Sequence, residues 1–129
     1  MNTEINNRPY TYVFIRNDLS YAQQIVQASH ATLEAGFKFE QPEEISSIVL
    51  FPLNNEKDLF DKARYLREHG IEHEMFYEPD INQYTAIATR AMFGEEREIF
   101  SELRTYRPKA DKKWPKRFQK MLDYFGKKR

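Results

Sequence analysis

His30 is the side chain in this sequence best suited to proton transfer at neutral pH, because an imidazole ordinarily titrates at about 6.5. With Gln23, Gln27 and Glu34 it makes one helical stripe, at spacings of four, three and four residues. Just upstream, Arg16-Asn17-Asp18-Leu19 closes an apolar run, so a cation and a carboxylate stand together where a strand gives way to a helix. In α/β folds such strand ends, with the unpaired N–H groups of the next helix beside them, are common ligand sites. Each residue also has a plainer use. A polar stripe faces solvent on any amphipathic helix, Asp18 can cap a helix, and Arg16 can pair with an acidic neighbour. Pattern alone does not decide between the two uses.

A second set lies near the C-terminus, where Trp114 stands among Lys112, Lys113, Lys116, Arg117 and Lys120. An aromatic ring interleaved with cations suits base stacking and contact with a nucleic-acid backbone. It equally suits a partner groove, an anionic membrane surface, or a helix that docks on its own domain. Residues 101–129 hold 11 Lys and Arg against 3 Asp and Glu, whereas residues 1–100 hold 9 against 17. A net charge of zero therefore conceals a basic end on an acidic body, and that end can attract phosphates.

The elements that must position these groups follow from periodicity. Tyr10–Arg16, rich in aromatic and β-branched residues, reads as a strand. A helix follows from about Ser20 to Gly36, with Asp18 or Ser20 as its cap and Gly36 as its stop. Within it Ala22, Ile25, Val26, Ser29, Leu33 and Gly36 form an apolar or small stripe, expected to pack on the sheet. Residues 46–53 carry a continuous apolar run, the pattern of a strand covered on both faces. Asn54 or Asn55 caps a helix to about His69, stopped by Gly70. Ile71–Tyr77 is a third strand, Thr85–Phe93 a fourth, and Gly94–Leu103 a short acidic helix.

This order implies an α/β fold: a single-domain three-layer sandwich, with a small mixed four-stranded sheet and helices on both faces. Residues 1–103 are expected to form the domain, and 104–129 a basic, helical extension in which Trp114, Phe118, Met121, Leu122 and Phe125 share one face. At 129 residues and 15% aromatic content, one domain with a real core is expected. The chain has no cysteine, which excludes disulfides and thiolate metal sites and favours a reducing compartment. No apolar run approaches the ~20 residues a bilayer span needs, and Met1–Arg8 is polar, so a cytoplasmic protein with no membrane partner is expected.

The strand YVFIRNDL, the helix segment AQQIVQASHA, the strand SIVLF, the helix NEKDLFDKARYLREHGI and the turn-strand EPDINQYTAIAT, in that order, resemble the peptidyl-tRNA hydrolase 2 family. The resemblance covers about residues 10–100. It implies hydrolysis of the ester joining a peptide to the 3′ end of tRNA, without metal or cofactor, with tRNA or other RNA as partner. A homodimer stays open. Arg16 and Asp18 match the family's strand end, with Asn17 where the family has threonine; Gln27 and His30 match its helix motif. Glu78 or Asp80 falls near its loop acid, and Thr85 at the threonine of its last strand.

On that reading His30, Asp80, Thr85 and Asp18 are the expected catalytic residues, with His30 as base or proton shuttle oriented by an acid such as Asp80. Arg16, Gln23, Gln27, Arg90, Lys112, Lys113, Trp114 and Lys116 are the expected substrate or RNA contacts. This sequence departs from the family in having Gln23 where the helix lysine stands, two fewer residues after Leu19, and Thr89-Arg90-Ala91-Met92 in place of a glycine-proline region. Arg90 is then a candidate for a displaced cation. The alternative is a catalytically impaired module of the same fold that binds RNA or a protein.

Overall fold

A computed structural model describes residues 7–107. The elements run β1 (Tyr10–Arg16), α1 (Tyr21–Lys38), β2 (Ser47–Leu53), α2 (Glu56–Glu68), β3 (His73–Glu78), β4 (Gln83–Thr89) and a 3₁₀ segment at Gly94–Phe100. The four strands make one mixed sheet in the order β2-β1-β4-β3. β1 is parallel to β2 and antiparallel to β4, which is antiparallel to β3. The expected α/β sandwich is the observed one.

β1 is central, and its alternate side chains feed two different layers. Tyr12 and Phe14 join Phe51, Leu59, Leu66, Ile87, Met92 and Phe100 on the face covered by α2 and the 3₁₀ segment. Val13 and Ile15 join Ala31, Ala35, Ala86 and Ala88 on the face covered by α1. Burial on both sides is why this strand reads as a nearly unbroken apolar run.

Helix ends follow local chemistry. Ser20 is the cap of α1: its hydroxyl accepts a hydrogen bond from the Gln23 N–H, while Asp18 turns back to Arg16. Gly36 does not stop α1, which continues to Lys38, with the Phe39 N–H bonded to the Ala35 carbonyl. The Asn55 side chain accepts from the Asp58 N–H at the start of α2. Gly70, at a φ of 70°, takes the left-handed turn that lets the Ile71 N–H reach back to the Leu66 carbonyl.

Besides the stop at Gly36, further expectations need correction. The run at 46–53 is not a strand covered on both faces, since β2 leaves Ile48 exposed. β4 spans Gln83–Thr89 rather than Thr85–Phe93, because beyond Thr89 the chain leaves β3: the Arg90 N–H bonds the Glu72 carbonyl, and Met92 makes an isolated bridge with Tyr10. The acidic segment after Gly94 is 3₁₀ and ends at Phe100, which plugs into the aromatic layer. Most consequential, the apolar stripe of α1 does not pack on the sheet. Ile25, Val26 and Leu33 are exposed, and the buried face is Gln24, Gln27, Ala31 and Ala35. The sheet offers Ala86 and Ala88 on that side, so a small-residue face lets helix and sheet approach closely. Contact with the sheet continues past the 3₁₀ segment, since the Tyr106 N–H donates to the Leu50 carbonyl and its side chain packs on the α1-side layer. No helix among the described residues is long and apolar enough to cross a membrane.

Candidate functional site

The buried side chain with the most telling partners is Gln27, 1% exposed at the middle of the face α1 turns to the sheet. Its Oε1 accepts from the Thr85 hydroxyl at 2.9 Å, and its Nε2 donates to Glu78 Oε2 and to Gln23 Oε1, each at 2.9 Å. A buried amide without partners costs energy, and this one has both N–H groups and its carbonyl engaged, by α1, β3 and β4.

Thr85 reaches Gln27 because of an irregularity in the sheet. Phe76 pairs with Ala86 but Tyr77 pairs with Tyr84, so Thr85 is an extra residue in β4. Without the slip, alternation would put Thr85 on the face of Ile87, in the aromatic layer. The bulge turns it, fully buried, toward α1. Glu78, the last residue of β3, follows Phe76 by two and so shares its face. The Gln27 amide and the Asp80 backbone N–H hold the Glu78 carboxyl below the usual carboxylate range, with the nearby His30 ring adding a smaller push the same way and burial opposing.

His30 lies at the open edge of this cluster. Its ring stacks on Phe76, with centroids 4.6 Å apart and planes 2° from parallel. The stack fixes the ring plane and leaves the imidazole exposed beside an ionised carboxylate. An exposed imidazole beside a carboxylate is a pairing that can relay a proton at the surface.

The acid that meets this cluster through its side chain is thus Glu78; Asp80 contributes its backbone N–H, to Glu78 Oε1 at 3.2 Å. Gln23 is exposed at the rim, its carbonyl turned to Gln27, and so offers amide donors but no charge. Arg16 sits apart. It projects from the face of β1 that carries Tyr12 and Phe14, 6% exposed, and pairs with both oxygens of Asp18 at 2.9 and 2.8 Å. It also donates to Gln83 Oε1 and the Tyr84 carbonyl. These four bonds make Arg16 and Asp18 a brace between the end of β1 and the start of β4. Gln24 ties the intervening loop down by donating to the Leu19 carbonyl at 2.7 Å.

Arg90 does not join this cluster. It lies five residues beyond Thr85, roughly 17 Å at ~3.4 Å per residue. There it pairs with Glu96 through both guanidinium nitrogens and donates to the Ala91 carbonyl. Burial opposes ionisation of Glu96, but Arg90 and the Phe93 N–H outweigh it and leave that carboxyl below its ordinary value. Lys112, Lys113, Trp114 and Lys116 lie outside the described residues. Among the described residues no group of three or more His, Asp or Glu is placed to hold a metal ion.

Glu78 was named from the sequence only as the alternative to Asp80, and the platform role of Phe76 and the burial of Gln24 were not read from it. A signal existed for the first two: Phe76 and Glu78, two apart in a strand, must share a face. The chain matches no family model, and no curated protein matches it.

Proposed function

We propose that this protein is a divergent peptidyl-tRNA hydrolase, cleaving the ester between a peptide and the 3′ end of tRNA. The observation that carries the reading is the convergence on Gln27: residues from two separate stretches of the resemblance, Gln27 and His30 on one, Glu78 and Thr85 on the other, occupy one cluster. Ester hydrolysis needs a water to lose a proton as it attacks the carbonyl carbon, and the departing ribose oxygen to gain one. His30 takes the first proton and returns it to the leaving oxygen, with Glu78 stabilising the imidazolium between the two steps. The tetrahedral oxyanion is met by neutral donors, the Gln23 amide and N–H groups at the start of α1, not by a lysine. The phosphate backbone of tRNA is held by the basic residues beyond 107, which makes binding salt-sensitive.

The second reading, a non-catalytic RNA- or protein-binding module, is favoured by one observation: Arg16 is consumed by Asp18, Gln83 and Tyr84, so it is not available to the Gln27 cluster. One assay separates the two. Purified protein is incubated with peptidyl-tRNA and release of free tRNA is followed, alongside Glu78→Gln and Asp80→Asn. The hydrolase reading expects cleavage by the native chain, a loss of at least about tenfold for Glu78→Gln, and less than about threefold for Asp80→Asn. Absence of cleavage by the native chain overturns it in favour of the binding module.

A further inference from the structure

The side of α1 turned away from the sheet is uncharged from end to end. Ile25 is 69% exposed, Leu33 59% and Phe37 83%, with Val26 and Tyr21 also in solvent. At about 100° per residue, Ala22, Ile25, Val26, Leu33, Gly36 and Phe37 all fall within about 80° of Ser29, opposite the buried Gln27, Ala31 and Ala35. The two charged side chains of α1, Glu34 and Lys38, stand about 140° and 180° from Ser29, and Lys38 is paired with Glu74 of β3. A continuous apolar strip on an outer helix marks a contact surface. Among the described residues α1 is the only helix on its side of the sheet, and no described element lies over the strip.

The order of large and small residues along the strip says what fits it. Ala22, Ser29 and Gly36 recur every seven residues as a line of small side chains, and a Cβ built on Gly36 meets nothing within 4 Å. Glycine inside a helix costs ~1 kcal/mol relative to alanine, and nothing in the described fold crowds position 36. A line of small residues lets a second helix come to about 8 Å between axes. The strip is also symmetric in sequence about Ser29: Ala22 and Gly36 lie seven residues to either side, Ile25 and Leu33 four, Tyr21 and Phe37 eight. A second α1 laid antiparallel, with a two-fold axis at Ser29, therefore sets small against small and large against large along the whole contact. One surface serves both copies, as a two-fold pair requires, and each helix N-terminus lies beside the other's C-terminus, where the dipoles attract. With aromatic side chains of roughly 200 Å² and aliphatic ones about half that, the exposed fractions and the small residues between them come to roughly 500 Å² per copy. A pair buries about 1,000 Å², the size at which a specific interface begins.

We infer that two copies of this chain pair through the outer faces of α1, antiparallel about Ser29, with Ile25 of each copy against Leu33 of the other across the line of Ala22, Ser29 and Gly36. The dimer is a four-layer stack of sheet, helix, helix and sheet. His30 follows Ser29 and stands on the flank of the contact, and a two-fold axis normal to the plane of the two helices keeps both His30 rings on the same flank. The two Gln27 clusters then open on one side of the dimer. The inference stands independently of the hydrolase reading, because it uses no catalytic step.

Light scattering on the full chain at about 0.5 mM, above the micromolar dissociation constants of weak specific interfaces, is expected to give a mass of twice 15.5 kDa. Ile25→Glu and Leu33→Glu are each expected to return it to 15.5 kDa with the far-UV circular dichroism unchanged, because both side chains touch solvent and not the core. Gly36→Leu raises helix propensity and so keeps the fold, yet it is expected to lower the dimer fraction by filling the line of small residues. Ser29→Cys reads the register, because it gives a chain without cysteine a single thiol at the two-fold axis. Under oxidation by copper phenanthroline in air it is expected to form an interchain disulfide at least about tenfold faster than Lys57→Cys on the exposed side of α2. Three results overturn the inference: a mass of 15.5 kDa for the native chain at that concentration, a dimer that both glutamate variants leave intact, or cross-linking at position 29 no faster than at 57. A monomer whose tRNA binding is weakened by Leu33→Glu assigns the face to nucleic acid and overturns it equally.

Discussion

The two faces of the sheet are built on different principles. On the α2 side, stacked and tilted rings dominate: Tyr12, Phe51 and Phe100 lie with centroids 4.4 to 5.9 Å apart, closed by Leu59, Leu66, Ile87 and Met92. On the α1 side the layer is thin, alanines from helix and strand pack against Val13 and Ile15, and a glutamine and a threonine are buried among them. The first layer supplies most of the burial that holds the fold. The second gives up apolar area in exchange for a polar cluster with one exposed histidine at its edge. Large rings would leave no room for that cluster.

Variants can break this contrast, beginning with the largest expected effect. Leu66→Ala on the α2 side should cost about 3–4 kcal/mol, because a fully buried side chain leaves a cavity among rigid rings. Urea denaturation measures it, and a cost below about 1 kcal/mol would show that this layer is not the main support. Gln27→Leu, close in size to the native side chain, should cost about 2 kcal/mol by leaving the Thr85 hydroxyl and Glu78 without their partner. It should also relax the fixed surroundings of His30, seen as changed ring-proton chemical shifts by NMR. A neutral or stabilising result would mean that the polar cluster is dispensable to the thin layer. Ser20→Ala removes only the cap of α1 and should cost about 1 kcal/mol.

The smallest effect is confined to acid. The Gln27 amide, the Asp80 N–H and His30 hold the Glu78 carboxyl low, so it contributes stability above the ordinary glutamate value of about 4.3, and that contribution is lost as pH falls through the lowered folded value. Denaturation midpoints at neutral pH and near pH 3 should therefore fall less steeply for Glu78→Gln than for the native chain. Parallel curves would remove Glu78 from the acid response.

How much of this was legible in the sequence depends on which layer is considered. The α2-side core announces itself through large residues at strand spacing, and Tyr10–Arg16 forms the strand its pattern assigns. The α1 layer misleads, because the most apolar stripe of the helix is the outer one. Its inward face is marked only by alanines at 31 and 35 and by glutamines, residues that ordinarily signal nothing. Thr85 is hidden for another reason: a bulge shifts the alternation on which face assignment rests. Gln27 and His30 were read as members of one stripe, but that one is buried and the other exposed follows from how α1 sits on the sheet, which no spacing encodes. Arg16 and Asp18 were named for both a chemical and a structural use, and the four bonds around Arg16 describe the structural one.

The most direct test of the central claim, that the thin layer exists to set a proton-transfer group at the surface, is the rate of peptidyl-tRNA cleavage by His30→Ala against the native chain. His30 stacks on the outside of Phe76 and supports little of the fold, so the variant should fold normally. The account predicts a rate lower by about a hundredfold or more, with tRNA binding unchanged. Equal rates for the two proteins, with the native chain active, would contradict it.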